Sequence, residues 1–204
     1  MPVLTYEAQL DADRHWALRE GGRHLEKESA VHKSLERIVR NLQTLQVPYA
    51  LAGGMALFMH GYRRFTEDID ILVTRESLLR IHTKLEGRGG SKDLRDADTG
   101  VRIEFIVAGD YPGDGKPKPV AFPDPASVAV EIDGIACVEL VHLIELKLAS
   151  GMTNPGRLID LADVQRLIVA KNLPESFAER LNPHVREKYL ELWAAVRTEA
   201  NRPE

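Results

Sequence analysis

From position 30 onward, Val31, Leu35, Ile38, Val39, Leu42 and Leu45 recur at helical spacing, which predicts a helix ending near Val47-Pro48. The apolar run 49–52 reads as a short buried strand. Gly53-Gly54 then turns the chain into a short helix over 55–60 that Gly61 can cap. Residues 65–73 are rich in β-branched side chains and predict a second strand. Thr74 is placed to N-cap a helix to about 86 with Leu78, Ile81 and Leu85 inward, and the glycines of 87–90 stop it. A further strand is expected over 101–108, alternating around Arg102 and Glu104. Gly and Pro crowd 109–125 into a long loop of the kind that is often functional or mobile. Segments 128–132 and 135–140 flank Asp133-Gly134, a hairpin signal with a two-residue type I′ turn. Helices are then expected to about 150, over 158–170, and after Pro174 and Asn182-Pro183. Val185, Tyr189, Leu192, Trp193 and Val196 form the apolar stripe of the last.

This order predicts an α/β (α+β) fold, a mixed β-sheet flanked by helices with a helical C-terminal tail. Three parts are expected: a loosely attached helical arm over 1–28, a core over 29–171 and a helical extension over 172–204. At 204 residues and 44% hydrophobic, the chain can bury one substantial core. A net charge of −4 does not mark a nucleic-acid binder. The single cysteine, Cys137, excludes an internal disulfide framework and a cysteine-rich zinc site. No apolar run approaches the roughly 20 residues of a membrane helix, and the N-terminus lacks a signal-peptide pattern. The expected location is cytoplasmic, without membrane contact.

The chemistry concentrates at Gly53-Gly54 and at Asp68-Ile69-Asp70. On a strand, Asp68 and Asp70 project from one face with Cα atoms roughly 6.5 Å apart, while Ile69 and Ile71 point into the core. Two anions about 4 Å apart repel by about 4 kcal/mol at an effective dielectric near 20, and a divalent cation removes that cost. Magnesium suits such a site because it takes a few carboxylates and fills its octahedron with water and phosphate oxygens. Gly53 and Gly54, lacking side chains, let backbone N–H groups approach a phosphate at a helix N-terminus. Glu104, between the inward Ile103 and Phe105, is the third carboxylate that a neighbouring strand can aim at the same metal, where it helps deprotonate an attacking hydroxyl. Read separately, the acids fit an exposed strand face and the glycines a tight turn; it is their combination that points to a nucleoside triphosphate.

Gly53-Gly54…Asp68-Ile69-Asp70 with Glu104 on a later strand resembles the signature of the nucleotidyltransferase superfamily, the polymerase-β-like fold. The wording Gly-Gly-Met-Ala-Leu and Arg-x-x-Thr-x-Asp-Ile-Asp-Ile-Leu is most similar to the bacterial abortive-infection (type IV) toxin-like branch, over roughly residues 30–170. Aminoglycoside nucleotidyltransferases are also similar. The resemblance implies transfer of an NMP from an NTP to an acceptor hydroxyl, with Mg2+ or Mn2+ held by Asp68, Asp70 and Glu104. It implies nucleotide contacts from Gly53, Gly54, Arg64, Thr66 and Lys147. Lys147 and Asp160 join the catalytic set, the aspartate orienting the lysine or a neighbouring backbone, with Asp163 one turn further along the same face. The Lys-Asp step common before the second helix is here Ile159-Asp160, and Arg157 is placed to stand in for the missing charge. Implied partners are the NTP, an acceptor such as tRNA or another RNA, a protein hydroxyl or a small molecule, and a cognate antitoxin.

Other residues carry less. Arg63 and Arg64 can neutralise phosphate, flank the acceptor or form a solvated surface pair. Lys116 and Lys118 can reach a polyanionic acceptor. The run Arg19, Arg23, Lys27, Lys33, Arg37 and Arg40 is the place to look for an RNA contact. His60, His82, His142 and His184 lack metal-ligand spacing and read as structural, and Tyr189 and Trp193 read as core. Two rival functions stand beside the main one: an aminoglycoside-type nucleotidyltransferase, and a non-catalytic nucleotide-binding or interaction module of the same fold.

Overall fold

The architecture is that of a computed structural model that describes residues 4–85 and 93–200. Its strands are β1 Tyr49–Ala52, β2 Asp68–Val73, β3 Asp93–Arg95, β4 Arg102–Val107, β5 Ala129–Ile132 and β6 Ile135–Val138. They form one mixed sheet in the order β3-β4-β2-β1-β6-β5. β2 and β4 run parallel at its middle, a pairing that needs a crossover. Its helical element is α5, Arg75–Leu85, opened by the Thr74 hydroxyl accepting the Ser77 N–H at 3.1 Å. β1 runs antiparallel to β2 and parallel to β6. Asp133 and Gly134, both at positive φ, make the expected tight turn between β5 and β6.

Helices cover the sheet. The N-terminal helices are α1 Tyr6–Ala12, α2 Arg14–Leu25 and α3 Ala30–Thr44, and α4 spans Gly53–Met59. After the sheet's middle come α6 Pro125–Val128, α7 Leu140–Thr153, α8 Leu158–Ala170 and α9 Pro183–Ala200. The inner stripe of α3 and the odd residues of β2 and β4 share one core, with Ile69, Ile71 and Phe105 fully buried. The stripe of α9 closes the end: Tyr189 is fully buried, and its hydroxyl donates to the Pro174 carbonyl at 3.0 Å. No described helix is long and apolar enough to cross a membrane.

Several expectations are corrected. Residues 1–28 were expected to be loosely attached, yet Tyr6 and His24 are fully buried and the Tyr6 hydroxyl meets Glu20 at 3.3 Å. Glu20 also accepts the Ala30 N–H, and His24 Nε2 donates to the Arg64 carbonyl at 3.1 Å. That bond leaves His24 Nδ1 to accept from Ser29, so the Ser29 oxygen accepts from His32 Nδ1 at 2.9 Å. Burial, followed by the neighbouring His24 and Lys27 charges, pushes His32 down to about 4. The second strand starts at Asp68 rather than 65, because Arg64 and Thr66 turn to side-chain partners. β3 and α6 were not anticipated, and the segment after Pro174 is a 3-10 turn, Glu175–Arg180. The loop after β4 is fastened rather than mobile: the Gly109 N–H donates to the Phe122 carbonyl and the Phe122 N–H to the Asp110 carbonyl across it, and Asn154 donates to the Gly113 carbonyl at 3.2 Å. The expected stop at 87–90 lies outside the described residues.

Candidate functional site

The parallel register of β2 and β4 sets Asp70 opposite Glu104 and Asp68 opposite Arg102. Paired positions share a sheet face, so the three carboxylates emerge on the side opposite the buried Ile69, Ile71 and Phe105. They line a cleft of about 930 Å³ together with Gly53, Gly54, Thr66, Arg102, Lys147 and Arg157. The glycine bend is pressed against the acids. Gly53 sits at φ +57°, and a Cβ there would lie 1.7 Å from Asp70 Oδ2. A Cβ on Gly54 would lie 2.5 Å from Thr66 Oγ1. That hydroxyl donates to Asp68 Oδ1 at 3.1 Å, so the bend, Thr66 and Asp68 form a chain of contacts.

Burial, then the charges of Asp68 and Glu104, push Asp70 up to about 7, against the opposing pull of Lys147 and Arg157. Like charge is thus crowded at Asp70. Glu104 finds partial relief: Arg102 Nη2 lies 2.9 Å from its Oε2 and 2.8 Å from Asp93 Oδ1. Among the described residues no three acidic, histidine or cysteine side chains are already drawn in around a metal-sized point. The donors nonetheless suit a hard divalent cation, since all are carboxylate oxygens in a water-accessible cleft with their repulsion uncompensated at Asp70. Holding it with all three would require Glu104 to turn from Arg102.

A second network faces the acids. Lys147 on α7 and Ser150 one turn on share a helix face, as do Asp160 and Asp163 on α8. Lys147 Nζ donates to Asp160 Oδ1 and Asp163 Oδ2, each at 2.7 Å, and both aspartates are only 1% exposed. Ser150 and Arg157 Nε add bonds to Asp160 Oδ2 at 2.6 and 2.9 Å. Burial alone would raise Asp160, but Lys147, Ser150 and Arg157 together hold it below the ordinary carboxylate range. Arg64 clasps Asp163 through Nε at 2.8 Å and Nη2 at 3.1 Å. Three cations against two carboxylates leave this wall with one net positive charge.

Residues 35–184 match the family described as nucleotidyl transferase AbiEii toxin, type IV TA system. The chain belongs to the AbiEii family. No curated protein matches it. Solved structures similar to it include JHP933 from Helicobacter pylori, 18% identical, covering 82% of this chain and 89% of that one at a TM-score of 0.47. A nucleotidyltransferase-like antigenic protein from Paracoccidioides brasiliensis is 17% identical, covering 81% and 91% at 0.46. ANT(2")-Ia, in complex with adenylyl-2"-tobramycin, is 14% identical, covering 82% and 97% at 0.46.

In this AbiEii-family chain, Gly53, Gly54, Arg64, Thr66, Asp68, Asp70, Glu104, Lys147 and Asp160 all line the one cleft. Beyond the bonds already described for Glu104, Lys147 and Asp160, Arg64 and Thr66 are also turned to protein partners. The Arg64 Nη1 donates to the Phe65 carbonyl at 3.1 Å, so all three of its nitrogens are engaged, and the Thr66 hydroxyl goes to Asp68. Arg63 lies apart, its guanidinium 5.9 Å from the centre of the Phe58 ring. Lys118 is drawn inward, 7% exposed, onto Asp114, the Pro112 carbonyl and Thr153 instead of reaching outward. In the basic run, Arg37 pairs with Asp96 and Asp98, and Lys27 with Asp133. His60 Nε2 donates to the Val138 carbonyl at 2.8 Å, a structural role as expected. Arg102 and Ser150 were not singled out for the site. Their spacing, two residues before Glu104 and three after Lys147, was the available signal.

Proposed function

We propose that this protein transfers a nucleoside monophosphate from an NTP to an acceptor hydroxyl, aided by Mg2+ or Mn2+ at Asp68, Asp70 and Glu104. The observation that carries the reading is the Gly53 bend seated against Asp70, with Glu104 beside it on a parallel strand. The acceptor oxygen bonds to the α-phosphorus, the bond to the bridging oxygen of the β-phosphate breaks, and pyrophosphate leaves with that electron pair. Bound metal supplies charge neutralisation at the phosphates and lowers the pKa of the acceptor hydroxyl. Gly53 and Gly54 give the phosphates a backbone surface free of side chains. Thr66 orients Asp68, and Glu104 takes up the acceptor's proton. Lys147, fixed by Asp160 and Asp163, presents its remaining N–H as positive charge in the cleft.

Membership of a toxin–antitoxin family supports an antitoxin as the partner; an RNA end such as that of tRNA is the acceptor put to the test. The test is incubation with each labelled NTP and total RNA, with an aminoglycoside panel in parallel, reading label position and pyrophosphate release. Label on RNA that requires a divalent cation and vanishes in Asp70→Asn is the expected result. Label on the aminoglycoside would move the acceptor to that class. Nucleotide binding with no transfer to any acceptor would leave a binding module.

A further inference from the structure

We infer that Arg157 is the residue that grips the terminal phosphates of the substrate, through two guanidinium nitrogens that no other described residue uses. The inference rests on the nucleotidyl-transfer reading and names the contact that reading leaves unassigned. Four cations line the cleft, and counting their donors separates them. Arg64 has every nitrogen engaged, on Asp163 and the Phe65 carbonyl. Arg102 is held between Asp93 and Glu104. Lys147 is 7% exposed and has two of its three protons committed to buried aspartates.

Arg157 differs in both respects. Its side chain is 55% exposed, and only Nε is bound, to Asp160 Oδ2 at 2.9 Å. Neither terminal nitrogen has a partner among the described residues. The backbone beneath is fixed as well: Asn154 caps the Pro155–Arg157 turn by accepting the Gly156 N–H at 2.9 Å. A buried aspartate thus aims the guanidinium while its outer edge stays open to the cleft. Arg157 lines the same cleft as Asp68 and Asp70, and both acids act on its charge. A metal-bound polyphosphate lying over those acids would share the cleft with the open edge of Arg157. Two parallel N–H groups match two oxygens of one phosphate, a geometry a lysine cannot reproduce. Arg157 also supplies a charge near the position where Ile159 replaces one.

The experiment is calorimetric titration with a non-hydrolysable NTP, inorganic pyrophosphate and the bare nucleoside, each in Mg2+, on wild type, Arg157→Gln and Arg157→Lys. A charged, bidentate contact contributes about 1.5–3 kcal/mol, which is a loss of roughly 10- to 100-fold in affinity. That loss is expected for the NTP and pyrophosphate in Arg157→Gln, with partial recovery in Arg157→Lys, no change for the nucleoside and near-wild-type melting. Wild-type affinity for pyrophosphate in Arg157→Gln, or an equal loss for nucleoside and NTP, would overturn the assignment while leaving nucleotidyl transfer standing. A wild-type protein that binds neither NTP nor pyrophosphate would remove both.

Discussion

Asp70 should destabilise the metal-free protein, and Asp70→Asn should make it more stable. The folded state raises this carboxyl from 3.8 to about 7, so it binds a proton more tightly folded than unfolded. Stability from that proton is complete below about pH 4 and is lost as the pH rises through 7. Three units at 1.36 kcal/mol each set an upper figure of about 4 kcal/mol. Water in the open cleft screens part of this, and about 2–4 kcal/mol is expected at pH 8. For a chain of this size that is roughly 5–15 °C in Tm. Asparagine has the same shape, so the contact with Gly53 is kept while the charge is removed. Urea and thermal melts in a chelator from pH 4.5 to 8 would show the two proteins alike in acid and diverging as the pH rises. Magnesium should raise the wild type far more than the variant at pH 8. A variant no more stable than wild type at pH 8, or a gain independent of pH, would refute the claim that Asp68, Glu104 and burial strain Asp70.

Gly53→Ala must place a methyl group where Asp70 Oδ2 lies, at a backbone angle that L-residues rarely adopt, and pyrophosphate release should fall about 100-fold or more; unchanged release would show that the bend does not set the acid. Lys147→Met leaves two nearly inaccessible aspartates short of a partner and should cost about 3–5 kcal/mol in urea unfolding, and a loss under about 1 kcal/mol would mean Arg64, Ser150 and Arg157 satisfy them unaided.

Much of the site could be read in the sequence because strand geometry is simple. Alternation at 68–71 puts two aspartates on one face and two isoleucines on the other, and the same rule places Glu104 and Arg102 together. The Asp133-Gly134 turn and the bounds of α8 were legible for similarly local reasons. What escaped notice depends on distant partners. β3 is three residues long and sits at a sheet edge, too short for a periodic signal. The N-terminal arm has a mixed, polar sequence, and its attachment is set by single contacts such as His24 with a carbonyl forty positions on. Nothing within Arg64 or Thr66 reveals that α8 and β2 engage them; only packing decides that.

The strict two-residue alternation of β2 also limits how such a chain can vary by insertion or deletion. One added or missing position between Ile69 and Asp70 would invert every later side chain, sending carboxylates toward oil and branched aliphatics toward water. Folding and chemistry would fail in the same event. Length changes are safe only where the pleat is not being counted, in the surface connections, so lineages descended from this chain can remodel what they act upon far more freely than how they act.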